Sequence, residues 1–225
     1  MHPFRVAGIV DATDAPRFER QNGTRTSHRM NLPNKLTVSR FGLTIAFMVA
    51  IFVEFPYNET VALVLFSLAG LTDWVDGAVA RRRNLITNFG ILMDPLADKI
   101  LTCSAFIAFA SHGWMDGWMV VAIVSRELAI TGLRLLAASK QVVLAAEGYG
   151  KHKTISQIVT IIATLIQHGY VEWNGYLQTV FGIQIYTRSW VEWIALSSTW
   201  VTVILTFVSG AMYLWRNKAV YADDL

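Results

Sequence analysis

Six apolar segments, each of about the length a helix needs to cross a membrane, dominate the sequence. They cover approximately residues 41–55, 61–80, 91–111, 118–138, 155–171 and 190–215. About 20 helical residues cross the ~30 Å hydrocarbon core of a bilayer. The hydrophobic content of 54% and the charged content of 16% are typical of an integral membrane protein and not of a soluble domain. The sequence therefore predicts an all-α integral membrane protein with six transmembrane helices.

The polar regions outside these segments define the expected domain organisation. Residues 1–29 carry mixed charge and lack the long apolar region of a secretory signal. We expect them to form a soluble, mobile extension, with Met30 as a second candidate start of translation. A six-helix domain is expected over residues 30–218 and a tail over 219–225. Nucleic acid is excluded as a partner, because the net charge is only +3 and the basic residues form no single patch.

Lysine and arginine are concentrated in alternate connections between the apolar segments. These basic residues are Arg25, Arg29, Lys35, Arg81, Arg82, Arg83, Lys140, Lys151, Lys153, Arg216 and Lys218. Because such residues favour the cytoplasmic side of a membrane, both chain termini are expected in the cytoplasm. The remaining connections carry Arg188 as their basic residue and a set of tryptophans typical of an interfacial belt. These are Trp114, Trp118, Trp173, Trp190 and Trp193.

Four aspartates lie at the predicted cytoplasmic ends of the second and third segments. On a helix, Asp73 and Asp76 share a face at i and i+3, and Asp94 and Asp98 share a face at i and i+4. A short basic turn joins the two segments, so antiparallel helices would direct all four carboxylates at one another. Isolated charges inside a membrane cost about 2.5–3.5 kcal/mol each, and like charges repel. The sequence therefore predicts a positive group between them.

Divalent metal ions suit these four carboxylates. Hard oxygen ligands without clustered cysteine or histidine favour Mg²⁺ or Mn²⁺ over zinc, although ligand chemistry alone leaves Ca²⁺ open. The five histidines are scattered along the chain and are interpreted as interfacial or surface residues. In an alternative interpretation the aspartates form structural salt bridges with Arg81 to Arg83 and Lys99. Intramembrane acids are usually functional, which favours the metal site.

Small residues near the aspartates leave room for a ligand. Gly77 and Ala80 lie at i and i+3 on the aspartate-bearing helix, and Gly90 precedes Asp94 at a similar spacing. Arg81 is a candidate phosphate contact. The competing interpretations are helix packing for the small residues and a positive-inside anchor for Arg81.

A second charged cluster lies in and after the fourth segment. Arg126 is well inside that segment, with Glu127 beside it and Arg134 about two turns further along the same side. Lys151 and Lys153 follow at the entrance of the fifth segment. We expect Glu127 to satisfy only one of the arginines, which leaves cations that suit an anionic ligand such as a phosphate monoester. The alternative is headgroup contact for the lysines and ion pairing for Arg126.

The aspartate region resembles the signature of the CDP-alcohol phosphotransferase family. The pattern D-x-x-D-G-x-x-A-R, eight residues, G-x-x-x-D-x-x-x-D is met at every fixed position, and the resemblance extends from about Met30 to Trp215. It implies a six-helix membrane enzyme, typically a homodimer, that binds two divalent metals through its aspartates. The metals hold the pyrophosphate of a CDP-linked donor, an acceptor hydroxyl attacks, and CMP leaves.

The resemblance also implies roles for single residues. Asp73, Asp76 and Asp94 would be the main metal ligands, while Asp98 would be the general base and a further metal contact. The implied donor contacts, some of them in a short interfacial helix at the start of the domain, are Asn34, Thr37, Arg40, Gly77, Ala80, Arg81 and Gly90.

The pattern S-R-E, L-R and G-K-x-K-T resembles one branch of this family. In that branch the donor is CDP-diacylglycerol and the acceptor is sn-glycerol 3-phosphate, which agrees with the phosphorylated acceptor expected from Arg126, Arg134, Lys151 and Lys153. The resemblance implies a bacterial enzyme of phospholipid biosynthesis in the cytoplasmic membrane, with its active site facing the cytoplasm.

Three alternatives remain at this stage. A sibling enzyme would use inositol phosphate, serine or phosphatidylglycerol as the acceptor. A divalent-cation transporter or sensor would need polar residues continuing through the apolar halves of the second and third segments, where the sequence has few. A structural scaffold would have no use for two acid pairs and buried arginines.

Overall fold

The computed structural model describes residues 32–83, 88–139 and 149–218, with side chains for 38–72, 96, 99–137 and 152–218. The helices are α1 (Leu32–Phe52), α2 (Asn58–Arg83), α3 (Asn88–Ser111), α4 (Gly117–Ser139), α5 (Tyr149–Gly169), α6 (Tyr176–Phe181) and α7 (Trp190–Arg216). A 3-10 turn (Tyr170–Glu172) follows α5, and two short strands, β1 (Gln184–Ile185) and β2 (Arg188–Ser189), precede α7. The predicted N-terminal extension and C-terminal tail lie outside the described residues.

Each of the six long helices overlaps one of the six apolar segments of the sequence, so the all-α prediction is confirmed. Within the described residues, His152–Glu172 and Trp190–Arg216 are long and apolar enough to cross a membrane. Val38–Phe52, Asn58–Thr72 and Lys99–Ser111 are shorter apolar stretches. The bounds Val38, Thr72 and Lys99 are also the bounds of the described side chains. Six transmembrane spans therefore remain a prediction.

The expected short interfacial helix at the start of the domain is not a separate element. Helix α1 continues without interruption from Leu32 to Phe52. Pro33 is tolerated because the first turn of a helix leaves its backbone N–H groups without helical partners. No glycine or proline follows until Gly42, so nothing in the local sequence divides the helix.

The segment between α5 and α7, which the sequence left open, contains α6 and a two-stranded hairpin. Gln184 pairs with Ser189 and Ile185 with Arg188, and Tyr186 adopts a positive φ of 60° in the turn. The Ser189 side chain then caps α7 by accepting a hydrogen bond from the Glu192 N–H at 3.3 Å.

Aromatic and branched side chains fill the centre of the bundle. Helix α1 packs against α2 and α3, α5 packs against α2 and α7, and α4 packs against α3 and α7. Phe47 and Phe66 meet with their ring centroids 6.0 Å apart, and Phe106 meets Phe109 edge to face at 6.2 Å. All four phenylalanines belong to one buried cluster to which six helices contribute.

The predicted tryptophan belt gathers at one end of the bundle. Trp114, after α3, stacks on His168 near the end of α5 with the ring centroids 4.0 Å apart. Trp173 donates a hydrogen bond to Thr60 Oγ1 on α2 at 2.7 Å, and His112 Nε2 lies 2.9 Å from the Ile51 carbonyl oxygen. These contacts bring the ends of α1, α3 and α5 together with the start of α2. The aspartate motif begins at the other end of α2.

Replacing Phe106 by alanine tests the central core. Phe106 is completely buried, whereas Phe207 on α7 is 56% exposed. We expect Phe106→Ala to lower the free energy of unfolding by about 3–5 kcal/mol, because it leaves a cavity among packed helices. Phe207→Ala is the matched control and should change it little. Thermal melting of the two detergent-purified variants measures the difference, and equal melting temperatures would contradict the packing described above.

Candidate functional site

The backbone places the four motif aspartates on two consecutive helices. Asp73 and Asp76 lie in the C-terminal part of α2, and Asp94 and Asp98 lie in the first half of α3. The i, i+3 and i, i+4 spacings therefore occur on real helices, as predicted. The side chains of all four lie outside the described part of the structure, as do those of Ala80 and Arg81. The mutual facing of the carboxylates remains a prediction.

The donor set of the motif fits a divalent cation by its chemistry. Four carboxylates on two helices supply hard oxygen ligands, which Mg²⁺ and Mn²⁺ prefer. Among the side chains that the structure describes, no group of three or more histidine, cysteine, aspartate or glutamate residues could hold a metal ion. The motif aspartates are not among these side chains. Within the described side chains there is no second candidate metal site.

Arg40 is the implied donor contact whose side chain the structure describes. It is only 2% exposed, and its carbonyl oxygen accepts a hydrogen bond from Thr44 Oγ1 at 2.9 Å. A guanidinium is always charged in proteins, so its burial favours a polar or anionic environment. Asn34 and Thr37 lie on the same helix, in its first two turns, and their side chains are not among those described.

A buried ion cluster centres on Glu127, whose side chain is 2% exposed. Its Oε2 atom lies 2.6 Å from Lys99 Nζ, and its Oε1 atom pairs with Lys153 Nζ. Arg126 Nη1 lies 3.4 Å from the same Oε1 atom, and Gln157 Nε2 donates to it at 3.4 Å. Helices α3, α4 and α5 each contribute at least one of these groups.

As predicted, Glu127 satisfies one of the two arginines: among the described contacts it pairs with Arg126, whereas Arg134 contacts Tyr213. The sequence did not predict that Glu127 also pairs with two lysines. Its two oxygen atoms face different directions, and three cationic side chains from three helices reach them. Lys99 was assigned by the sequence only as an alternative partner of the motif aspartates. Its ion pair with Glu127 could not be inferred from chain spacing, because the two residues are far apart in the sequence and meet through packing of α3 on α4.

Helix α7 supports the two arginines of α4. Arg126 Nη2 donates to Ser209 Oγ at 3.2 Å, and Arg134 Nε donates to Tyr213 Oη at 3.3 Å. The Arg134 guanidinium also lies 5.7 Å from the centroid of the Tyr213 ring. Ser209 and Tyr213 are spaced i, i+4, so the prediction that both arginines point to the same side of α4 is confirmed.

Sequence reasoning missed four residues of this site: Gln157, Ser209, Gly210 and Tyr213. The available signal was the polar pair Ser209 and Tyr213 at helical spacing within an otherwise apolar segment. Of the two expected lysines, Lys153 is 1% exposed and lies in the ion cluster, whereas the Lys151 side chain is outside the described part. Lys99 directly follows Asp98 on α3, so the ion cluster lies next to the aspartate motif along the chain.

Comparison with known proteins identifies a family that covers most of the chain. The family model for CDP-alcohol phosphatidyltransferases matches residues 30–208. This match includes all four aspartates of the motif and all residues of the Glu127 cluster. It ends just before Ser209.

Several curated bacterial proteins with the name CDP-diacylglycerol–glycerol-3-phosphate 3-phosphatidyltransferase are similar to this chain. The protein of Bacillus subtilis (strain 168) is 37% identical over 199 residues, which cover 83% of this chain and 95% of the relative. That of Salmonella typhimurium (strain LT2) is 30% identical over 200 residues, or 87% of this chain and all of the relative. That of Cereibacter sphaeroides is 28% identical over 220 residues, which cover 86% of this chain and 98% of the relative.

Gly210 on α7 leaves space for the Arg126 side chain of α4. The methyl group of an alanine at position 210 would obstruct that side chain. A Cβ atom at position 210 would lie 3.0 Å from Arg126 Cγ, whereas one at Gly132 on α4 would have open space around it. We expect Gly132→Ala to be neutral or stabilising by about 0.5–1 kcal/mol. Gly210→Ala should be less stable than Gly132→Ala by about 1–3 kcal/mol because of overpacking. Thermal melting of both variants is the measurement, and equal stabilities would show that Arg126 does not depend on this gap.

Proposed function

The chain belongs to the CDP-alcohol phosphatidyltransferase family, and from that premise we propose that it is a phosphatidylglycerophosphate synthase. It transfers the phosphatidyl group of CDP-diacylglycerol to sn-glycerol 3-phosphate, and the products are phosphatidylglycerophosphate and CMP. The observation that carries this proposal is the similarity, at up to 37% identity among the relatives compared, to enzymes whose name states that donor and that acceptor. The product is the precursor of phosphatidylglycerol and, further on, of cardiolipin.

The aspartates of α2 and α3 are proposed to form the donor side of the site. Asp73, Asp76 and Asp94 would hold divalent metal, with Asp98 as a further contact. Bound metal supplies neutralisation of the charge on the pyrophosphate, which is the main requirement of phosphoryl transfer. Arg40, buried on α1, is proposed to contact the phosphates from the neighbouring helix, since α1 packs against both α2 and α3.

The proposed chemistry at the acceptor is a displacement at phosphorus. Asp98 takes the proton from a hydroxyl of the acceptor, and the hydroxyl oxygen forms a bond to the phosphorus that carries the diacylglycerol group. The bond between that phosphorus and the bridging oxygen breaks, and the electron pair leaves with CMP. The cytidine and its phosphates would lie against Gly77, Ala80, Arg81 and Gly90, together with Asn34 and Thr37 of α1.

The cations of α4 and α5 are proposed to bind the phosphate of the acceptor. Arg126 and Lys153 are held in the Glu127 cluster, and Arg134 lies on the same side of α4. Guanidinium and ammonium groups suit a phosphate monoester, and low exposure strengthens their attraction. Lys151, two residues before Lys153, is proposed as a further contact. This arrangement supports a phosphorylated acceptor over serine or an uncharged polyol.

The cellular setting is proposed on the same basis. Two apolar helices of membrane-crossing length and membership of a membrane-enzyme family indicate a membrane protein. We place both termini and the active site on the cytoplasmic side of the inner membrane, because the basic connections lie at the aspartate end of the bundle. From the family resemblance we further propose that the protein is a homodimer and that each active site binds two divalent metal ions.

Substrate choice is tested by measuring CMP release. Purified, detergent-solubilised protein receives CDP-diacylglycerol and Mg²⁺ with glycerol 3-phosphate, inositol phosphate, inositol, serine or phosphatidylglycerol supplied separately. We expect release with glycerol 3-phosphate and at least tenfold less with inositol, serine or phosphatidylglycerol, because a site with phosphate-binding groups rejects ligands that leave those groups unpaired. Less release is also expected with inositol phosphate, on the basis of the acceptor named for the relatives. Preference for another acceptor would show that the α4–α5 cations are assigned to the wrong ligand. No CMP release with any acceptor would refute the proposed phosphatidyltransferase activity.

The metal role of the motif is tested with Asp94→Asn. We expect roughly a 100-fold or greater loss of CMP release in saturating Mg²⁺, because an amide oxygen is a weaker ligand than a carboxylate. Asp116→Asn is the matched control, since Asp116 is exposed and lies just before α4, at the tryptophan end of the bundle. Near wild-type activity of Asp94→Asn would exclude Asp94 as a metal ligand.

A further inference from the structure

The buried carboxylate of Glu127 is shared between two parts of the protein. Its Oε2 atom contacts Lys99 of α3, and its Oε1 atom contacts Lys153 of α5 and Arg126 of α4. Lys99 is the residue after Asp98, the proposed general base. One side chain therefore connects the helix that carries the aspartate motif with the cations proposed to bind the acceptor phosphate.

The burial of this cluster requires an explanation beyond stability. Each buried ion costs several kcal/mol of desolvation, and well-packed apolar residues often stabilise a fold as well as or better than a buried ion pair. Lys153 is as deeply buried as Glu127, at 1% and 2% exposure. A buried pair can instead supply a defined geometry, since long flexible lysine and arginine side chains adopt one position only when a fixed partner holds them.

We propose that Glu127 is a positioning residue for the acceptor. Through Oε1 it holds the side chains of Lys153 and Arg126, and through Oε2 it holds Lys99, the neighbour of Asp98. These two sets of contacts would together fix the position of the cations relative to Asp98. An acceptor bound by its phosphate to these cations would then have its hydroxyl presented to Asp98 and to the donor. This inference rests on the proposed function and extends it, because Glu127 lies outside the aspartate motif and is a partner of cations and not of substrate.

Positioning and simple electrostatics predict opposite effects for Glu127→Gln. Glutamine removes a negative charge next to three cations, so charge alone should strengthen the binding of an anionic acceptor. Loss of the fixed carboxylate should instead release the lysines and the arginine from their positions, because an amide can accept at only one of its two polar atoms. The direction of the change in the Michaelis constant for glycerol 3-phosphate distinguishes the two.

The experiment uses full-length protein in detergent with CDP-diacylglycerol, glycerol 3-phosphate and Mg²⁺. We expect Glu127→Gln to raise the Michaelis constant for glycerol 3-phosphate roughly tenfold or more and to change that for CDP-diacylglycerol less than about twofold. Glu127→Asp, which keeps the charge, should recover part of the loss. Glu54→Gln, at an exposed position in the connection between α1 and α2, is the control and should leave both constants unchanged.

A second variant covers the case in which Glu127→Gln fails to fold. The Lys99 side chain is 27% exposed, so Lys99→Gln is the milder change, and it removes the contact of Glu127 with α3. It should raise the Michaelis constant for glycerol 3-phosphate in the same direction. In a double-mutant cycle its effect should be smaller when Glu127 is already Gln.

The outcomes separate this inference from the function on which it rests. An unchanged or lower Michaelis constant for glycerol 3-phosphate in both Glu127→Gln and Lys99→Gln would overturn the positioning role and leave the enzyme assignment intact. A purely structural role would lower the melting temperature and the amount of active protein, with both Michaelis constants unchanged, and this result also overturns the proposal. Wild-type protein that does not use glycerol 3-phosphate would overturn the function and the inference together.

Discussion

The pairing of buried charge within an apolar helix bundle is the constraint on which this structure depends. Glu127 is almost fully buried, and an isolated carboxylate there would be strongly unfavourable. Lys99, Arg126 and Lys153 reach it from three helices. Because the buried Lys153 ammonium also needs an anionic partner, the pairing favours the packing of α5 on this part of α4. The same contacts place cations beside α3, the helix that carries Asp94 and Asp98.

The remaining helices support this arrangement. Helix α7 holds Arg126 through Ser209 and Arg134 through Tyr213, and Gly210 leaves space for the Arg126 side chain. At the other end of the bundle, stacked aromatic rings and hydrogen bonds of tryptophan join the connections between helices. Aromatic contacts thus stabilise the end of the bundle opposite the aspartate motif, and the proposed phosphatidyl transfer takes place at the end that carries the aspartates.

Much of the fold could be predicted because lipid imposes strong rules on a sequence. Backbone groups in a bilayer must form hydrogen bonds within their own segment, so long apolar segments form helices. The predicted segment 118–138 differs from α4 by one residue at each end. The start of α1 could not be predicted from hydropathy, because its first turns are polar and their helical structure depends on local backbone preference. The six-residue α6 and the hairpin after it carry too short a pattern to be distinguished from a loop.

The sequence by itself determined the all-helical architecture, because its apolar segments have the length of helices that cross a membrane. It also determined the aspartate motif and the family, because spacing along one helix decides which side chains share a face. It also indicated that Arg126 and Arg134 lie on one side of α4. Only the tertiary structure decided that Glu127 serves three cations and that Lys99 belongs with them. Those contacts join helices that are distant along the chain, and the distances between their side chains depend on how the helices pack.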